Sequence, residues 1–588
     1  MCEPKEWTLM FYFASDNPLA ISAVSQLKAI KDAGFHPDAN VVAQFDPFTA
    51  GTPTHVFEVN VVNKLKARGK ADIGFSGNDP TVRSLIEDKL WRDEETSSEA
   101  PAVAGATTAN HELVRNALNR VLKKGYDIDY KPPVAPNVNN NDDRGEEPGA
   151  KTSLREFLRF CADKYPARHY MLFMLGHGVV VGNDIFMLDE HASEHSLTLI
   201  DLGQILAEFK HTIELEDSTF ELVSFHSCSV SSIEVAYELQ GTAKYMLASQ
   251  GPAFVGSWPY RQILIRIFKA LSQSNAINMR DLLYEIYHSC MLNSADYLLA
   301  GYSFQLTLCD LERIATIKDP IDELAKALTA GLNNELSKDY ILFSHWKSQS
   351  FFNEMYSDLY DFCFCLSNRI KDLGAGATKE LLDIQQACGK VMDKLVKEYP
   401  RKDPGAPQII VAADSLGPAF QYSHGLSVYF PWSEPSKDSH ILSQYEKYRF
   451  SADIKNPWVN FLHAYFDATK RLVSSDEHDQ RRVAAVPVNG AVLIDRGLDE
   501  DIASLIYNGE GTPDLRAALA INSKSDPTDK TGGDYEPVSI KNFPRDIRTR
   551  RTRMRQAATT FPITQTFGLI EQYGRNGKNG NGNGKQSV

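Results

Sequence analysis

The sequence predicts an α/β fold, in which a mainly parallel central sheet is flanked by helices and followed by a mixed, helix-rich C-terminal lobe. Three observations carry this expectation. Two mostly apolar runs, Tyr170-Met-Leu-Phe-Met-Leu-Gly-His177 and Phe220-Glu-Leu-Val-Ser-Phe-His-Ser-Cys228, read as strands covered on both faces, the pattern of a parallel sheet. The β-rich segment 7–13 passes through the turn Asp16-Asn17-Pro18 into helical spacing over 19–30, which starts a β-α rhythm. Residues 261–399 keep a helical period until β character returns at 408–412 and 426–430.

The remaining elements follow from local signals. Residues 40–45 read as a second buried strand and 54–62 as a third, a hairpin excursion with alternating faces. Residues 96–106 and 126–150 turn polar, through Pro132-Pro133, Asn137 to Asn141 and Asp142-Asp143-Arg144-Gly-Glu-Glu-Pro148, and read as exposed loop insertions. Ser153 is placed to cap a helix over 154–164, and Asp201 one over 202–209. A helix over 231–239 and a strand over 245–249 complete the unit, ending in the turn Gln250-Gly251-Pro252. Three segments result: a core over 1–262, a helix-rich lobe over 263–473 that returns strands to the core region, and a tail over 474–588. The tail reads as largely disordered, with a basic run from Arg545 to Arg555.

At 588 residues the chain is too long for one ordinary core. Its net charge of -14 disfavours a nucleic-acid partner, because such a domain carries a clustered basic face. The start, Met1-Cys-Glu-Pro-Lys-Glu-Trp7, has no signal-peptide pattern, and no apolar run approaches the ~20 residues of a membrane helix. The eight cysteines are scattered without the spacing of a disulfide scaffold and are expected to be reduced, which points to a cytoplasmic protein. Neither Cys-x-x-Cys nor His-Glu-x-x-His occurs, so zinc has no local support. Cys363-Phe-Cys365 most simply puts one thiol into a helical core.

The chemistry sits at the carboxyl ends of the two apolar runs. Ligands of open α/β sheets bind beyond those ends, so His177 and Cys228, delivered by neighbouring strands, form a candidate base and nucleophile. A thiolate attacks an amide and the imidazole then protonates the leaving amine. Gly178 lets its N–H approach an oxyanion closely, and the amide of Cys228 is a second donor. Taken alone, a strand-end cysteine is more often a packing residue. His424-Gly425 repeats the His-Gly pair before Leu426.

Together, 165–178 with Tyr165-Pro-Ala-Arg-His-Tyr170 and His177-Gly178, Ser196-Leu-Thr-Leu199, the Cys228 strand, Tyr245-Met-Leu-Ala-Ser249 with Ser257-Trp-Pro-Tyr260, and Gly425-Leu-Ser-Val-Tyr-Phe-Pro431 resemble the clostripain-like cysteine peptidases of the caspase-like clan. The resemblance spans residues 7–466 in order. It implies a caspase-like sandwich and a cysteine endopeptidase that hydrolyses peptide bonds in proteins. His177 is then the catalytic histidine, Cys228 the nucleophile, and Gly178 with the Cys228 amide the oxyanion hole. Asp16 and Asn17 would border the site, or serve as a turn and helix cap.

Such enzymes cut after Arg or Lys, helped by an acidic residue two positions before the nucleophile. Here that position is His226, and the flanking loop 250–258, with Gln250, Ser257 and Trp258 as pocket candidates, has no Asp or Glu. Asp358 or Asp361 could supply the carboxylate, or His226 could read a polar or acidic side chain. Relatives are often zymogens cleaved between the His and Cys strands, where the sole Lys or Arg is Lys210; Lys131, Arg144 and Lys151 lie in the more polar loop upstream. No cofactor is required. Calcium activates some relatives, and Asp142-Asp143 and Glu146-Glu147 offer it carboxylates, although solvated charge accounts for them as well. The implied partners are protein or peptide substrates and a regulatory protein, with no membrane. The alternative from another class is a catalytically silent, caspase-like binding or scaffold protein.

Overall fold

Trp7-Thr-Leu-Met-Phe-Tyr-Phe13 offers water no polar face, so the strand it forms must be covered on both sides. The computed structural model describes residues 4–470 with breaks, the longer ones at 15–19, 46–54, 61–80, 85–149 and 179–196, and shorter ones at 177, 216, 274–276, 295–301, 352–354, 397–407, 432–433, 436–440 and 453–454. Asp16, Asn17, His177, nearly all of the loops expected at 96–106 and 126–150, and the tail with its basic run lie outside the described residues.

The strands are β1 (Lys5–Phe13), β2 (Ala39–Phe45), β3 (His55–Asn60), β4 (Thr81–Ser84), β5 (Ala167–Leu175), β6 (Thr219–His226), β7 (Tyr245–Ala248), β8 (Phe304–Asp310), β9 (Ser350–Phe351), β10 (Tyr356–Asp358), β11 (Ile410–Leu416) and β12 (Ser427–Tyr429). Nine of them form one sheet in the order β11-β8-β7-β6-β5-β1-β2-β3-β4, and β12-β10-β9 form a small second sheet. The central run β7-β6-β5-β1-β2 is parallel, whereas β3, β4, β8 and β11 join antiparallel. This is the mainly parallel α/β sheet that the apolar runs predict. Strands β8 and β11 of this sheet come from the segment 263–473.

Alternation along β1 separates two apolar layers. Leu9, Phe11 and Phe13 face the layer built with α1 (Ala20–Asp32), while Met10 and Tyr12 face α2 (Ala150–Lys164) and α3 (Leu199–Glu214). Phe11 stacks on Phe173 of β5 with ring centroids 4.9 Å apart. After α4 (Ile233–Glu238), the helices α5 (Tyr260–Leu271) and α6 (Met279–Asn293) return to the α1 layer. On the other face, α7 (Lys318–Gly331), α8 (Glu335–Lys347), α9 (Leu359–Lys371), α10 (Lys379–Leu395), α11 (Ile441–Tyr445) and α12 (Pro457–Lys470) pack around the small sheet. Buried Glu234 of α4 fastens that sheet: it accepts from Tyr429 N at 2.8 Å and from the Tyr445 hydroxyl at 3.0 Å.

Three local expectations change. Ser153 does not cap a helix but lies inside α2, where its hydroxyl accepts from Gln44 Nε2 at 2.7 Å; the helix begins three residues earlier. The cap of α3 is Thr198, whose hydroxyl oxygen accepts from Asp201 N at 3.0 Å, so Asp201 occupies the first turn and complements the helix dipole. Residues 304–310, inside the span read as helical, are strand β8 with all seven residues buried, because Phe304-Gln-Leu-Thr-Leu-Cys-Asp310 alternates with period two. The seven described cysteines are free thiols; Cys363 is buried in α9 and Cys365 is half-buried. No described helix is long and apolar enough to cross a membrane.

Candidate active site

The sheet brings its carboxyl ends together on one edge. Phe13 of β1 pairs with Leu175 of β5, and Leu175 with His226 of β6, so the chain leaves all three strands at the same level. Loop residues 249–258 follow the parallel strand β7, and residues 417–426 follow β11, which runs in the same direction as β7 because both are antiparallel to β8. The carboxyl ends of β1, β5, β6, β7 and β11 thus share the edge where an open α/β sheet binds its ligands.

Cys228 lies two residues beyond β6, half-buried. The next residue, Ser229, holds a left-handed backbone with φ 54°, a conformation costly for a residue bearing a Cβ, and its N–H is held by Gly251 O at 3.0 Å. The turn aims the thiol at the loop after β7, where Ala253 N donates to Cys228 Sγ at 3.4 Å and the thiol donates to Ala253 O at 3.9 Å. Gly178 lies directly against this turn: a Cβ there would meet Cys228 O at 1.9 Å and Cys228 C at 2.6 Å. His177, its predecessor, lies outside the described residues.

The expected pocket residues sit differently. His226 is fully buried, with its ring stacked on Trp258 at 4.6 Å, Nε2 2.7 Å from Phe254 O and Nδ1 3.2 Å from the Tyr260 hydroxyl. Burial pushes its pKa down to about 4, against the opposing pull of the Phe254 carbonyl, so the ring is neutral at physiological pH. Ser257 and Trp258 are buried too: the Ser257 hydroxyl bonds Phe254, and Trp258 Nε1 donates to Ser224 Oγ at 2.9 Å. Ser257 and Trp258 form the underside of the 253–258 loop and His226 packs against it, so in this conformation all three are closed off from solvent.

Gln250 and Asp358, named separately from the sequence, are brought together. Asp358 is fully buried and caps α9 by accepting from Asp361 N at 2.8 Å, while its other oxygen accepts from Gln250 Nε2 at 3.0 Å and His424 N at 2.6 Å. Gln250 Oε1 in turn accepts from Gly425 N at 2.9 Å. Asp361, the other acid considered for the pocket, accepts from Gln349 N at 2.6 Å. Both carboxylates are thus committed to the fold, as helix caps commonly are. The second His-Gly pair is structural: His424 stacks on Tyr360 at 4.4 Å, with Nδ1 3.5 Å from Asp358 Oδ1, and Gly425 adopts φ 119°. Burial lowers the His424 pKa, but the hydrogen bond and charge of Asp358 more than offset it, leaving a net rise. Replacing Asp358 with alanine should cost about 3 kcal/mol, since a cap and two buried donors lose their acceptor; urea unfolding of the variant measures it.

The sequence matches the Peptidase_C11 model, the clostripain family, over residues 11–381. The chain belongs to the clostripain family. It is a cysteine peptidase by that membership, and its substrates are peptides or proteins. No curated protein matches the sequence. Among solved structures, this clostripain-family chain is similar to an inactive zymogen C11 protease from Parabacteroides distasonis, with 15% identity, 77% of this chain and 99% of that chain covered, and a TM-score of 0.40. It is also similar to a secreted C11 cysteine protease from Bacteroides thetaiotaomicron in complex with an irreversible peptide inhibitor, with 13% identity, 78% and 99% covered, and a TM-score of 0.41.

Sequence reasoning misses two parts of the site. The Ala253 N–H depends on backbone direction, and its sole sequence signal is the preceding Gly251-Pro252 turn. The left-handed Ser229 has none, because serine is not a residue that marks positive φ. Among the described residues no three His, Cys, Asp or Glu side chains cluster as a metal site; the acidic residues 142–147 lie outside them.

Proposed function

We propose that this protein is a cysteine endopeptidase in which Cys228 attacks the scissile carbonyl and His177 acts as base and then as acid toward the leaving amine. The observation that carries the reading is the contact of Gly178 with Cys228, which leaves no room for a Cβ between the residue after His177 and the candidate nucleophile. The left-handed turn at Ser229 and the Ala253 N–H on sulfur add a constrained setting for the thiol. Attack forms a tetrahedral oxyanion, held by the N–H groups of Gly178 and Cys228; its collapse expels the amine and leaves a thioester, which water hydrolyses.

Cleavage after Arg or Lys is the first-position preference proposed from family membership. Asp358 does not supply its pocket carboxylate, because both of its oxygens are engaged in the core, and position 226 bears an imidazole instead of an acid. Zymogen processing at Lys210 is disfavoured, because Lys210 lies within α3 and pairs with Glu214 at 2.8 Å, and proteases cut extended, accessible chain. Cys228→Ala and His177→Ala should each lower peptide hydrolysis by about 10³-fold or more. A peptide-library cleavage profile of the wild type and both variants checks this and reads the first-position preference together. Undiminished hydrolysis by Cys228→Ala rejects the mechanism.

A further inference from the structure

His226 ends the strand that carries the thiol, yet it touches no solvent and has both ring nitrogens engaged. The partners fix its tautomer. A carbonyl can only accept, so Nε2 carries the proton and donates to Phe254 O at 2.7 Å; Nδ1 then accepts from the Tyr260 hydroxyl at 3.2 Å. Two positions earlier on the same face of β6, Ser224 accepts from Trp258 Nε1 at 2.9 Å, and the Trp258 ring stacks on His226. Strand β6 therefore grips the loop after β7 at two successive rungs, and two positions further on the same chain comes Cys228.

The gripped loop is the one that reaches the sulfur. Phe254, whose carbonyl His226 holds, directly follows Ala253, whose N–H is donated to Cys228 Sγ at 3.4 Å. An acidic side chain at 226 would set acceptor against acceptor at Phe254 O and would be a buried charge; a neutral imidazole is a donor that fits. We propose that His226 is a positioning residue for the nucleophile: from inside the core it holds the Phe254 carbonyl of the 254–255 peptide, and so anchors the loop whose 252–253 peptide, two units earlier, presents the Ala253 N–H to Sγ and holds the thiolate. The residue two before the cysteine thus serves thiol activation rather than side-chain recognition. This rests on Cys228 being the nucleophile.

The test is the pH dependence of Cys228 alkylation by iodoacetamide, followed by peptide mass mapping, in wild type, His226→Phe and His226→Gln. Phe keeps the stack on Trp258 but loses the donor; Gln keeps a donor for Phe254 O. His226→Phe should raise the apparent thiol pKa by about 0.5 to 1 unit and slow alkylation at pH 6.5 by about 3- to 10-fold. It should lower kcat about 10-fold with KM within about twofold, and His226→Gln should recover most of both. A wild-type alkylation profile in His226→Phe overturns the proposal, as does equal impairment of both variants in step with lost thermal stability. Should His226→Phe fail to fold, ¹⁵N-histidine spectra of the wild type decide: alkylating Cys228 must displace the His226 Nε2 resonance, and an unmoved signal overturns it. Alkylation needs no turnover, so a failure of the peptidase reading, seen as hydrolysis persisting in Cys228→Ala, is separable from a failure here.

Discussion

Alanine at position 178 should silence hydrolysis more thoroughly than its single methyl group suggests. The added Cβ would meet Cys228 O at 1.9 Å, Cys228 C at 2.6 Å and Cys228 N at 2.8 Å, all of them backbone atoms that no rotamer change can move aside. Either the Cys228 turn or the Gly178 segment has to shift by an ångström or more. The turn has little slack, because Ser229 N is tied to Gly251 O and Sγ to Ala253 N. A displacement of about 1 Å at reacting groups costs on the order of 10²-fold in rate, and here it moves both proposed oxyanion donors as well. Gly178→Ala should therefore lose at least about 10²-fold in kcat/KM, while the sheet, whose strand ends at Leu175, keeps its circular dichroism and most of its melting temperature. Activity within a few-fold of wild type would show that Gly178 does not pack on the nucleophile turn.

What the sequence made legible follows the range of the interactions involved. The central strands were readable because double-sided burial leaves continuous apolar runs, and the site edge because the reactive residues end two of those runs. Strand β8 escaped because one short alternating segment lay between long helical periods, and a window tuned to period 3.6 averages it away. The helix caps were misplaced: Ser153 and Asp201 have the right chemistry, but the helices start at Ala150 and at Leu199, and at the latter Thr198 takes the N–H of Asp201. His226 and Asp358 could not be assigned at all from spacing. Their partners, Phe254 and Tyr260 for one, Gln250 and His424 for the other, are 28 to 108 residues away, and only the folded sheet brings them within hydrogen-bond distance.

Acid should destabilise this fold through two histidines that are locked neutral. Burial pushes the pKa of His226 down to about 4 and that of His345 down to about 3, against weaker opposing pulls from the carbonyls of Phe254 and Phe430. His345 lies face to face with Phe430, ring centroids 3.7 Å apart, and its Nδ1 is 2.7 Å from the Tyr465 hydroxyl, so it joins α8 to α12. With both folded-state values below the ordinary 6.5, the unfolded chain takes up these protons first as pH falls. Stability is then intact above pH 6.5 and is lost progressively toward pH 4 for His226 and pH 3 for His345, by on the order of 3 and 5 kcal/mol when complete. His424 has the opposite sign: its raised pKa contributes stability below 6.5 that disappears as pH climbs through the folded value. Because His424 is common to both proteins, comparing wild type with His345→Phe isolates the neutral imidazole. The variant loses the Tyr465 hydrogen bond and should be less stable by about 1 kcal/mol at pH 7. At pH 4, where only wild type still has to exclude a proton from position 345, the variant should be the more stable by about 2 kcal/mol. The two urea-unfolding curves of stability against pH must therefore cross between those values, and parallel curves would mean that His345 carries its charge inside the fold.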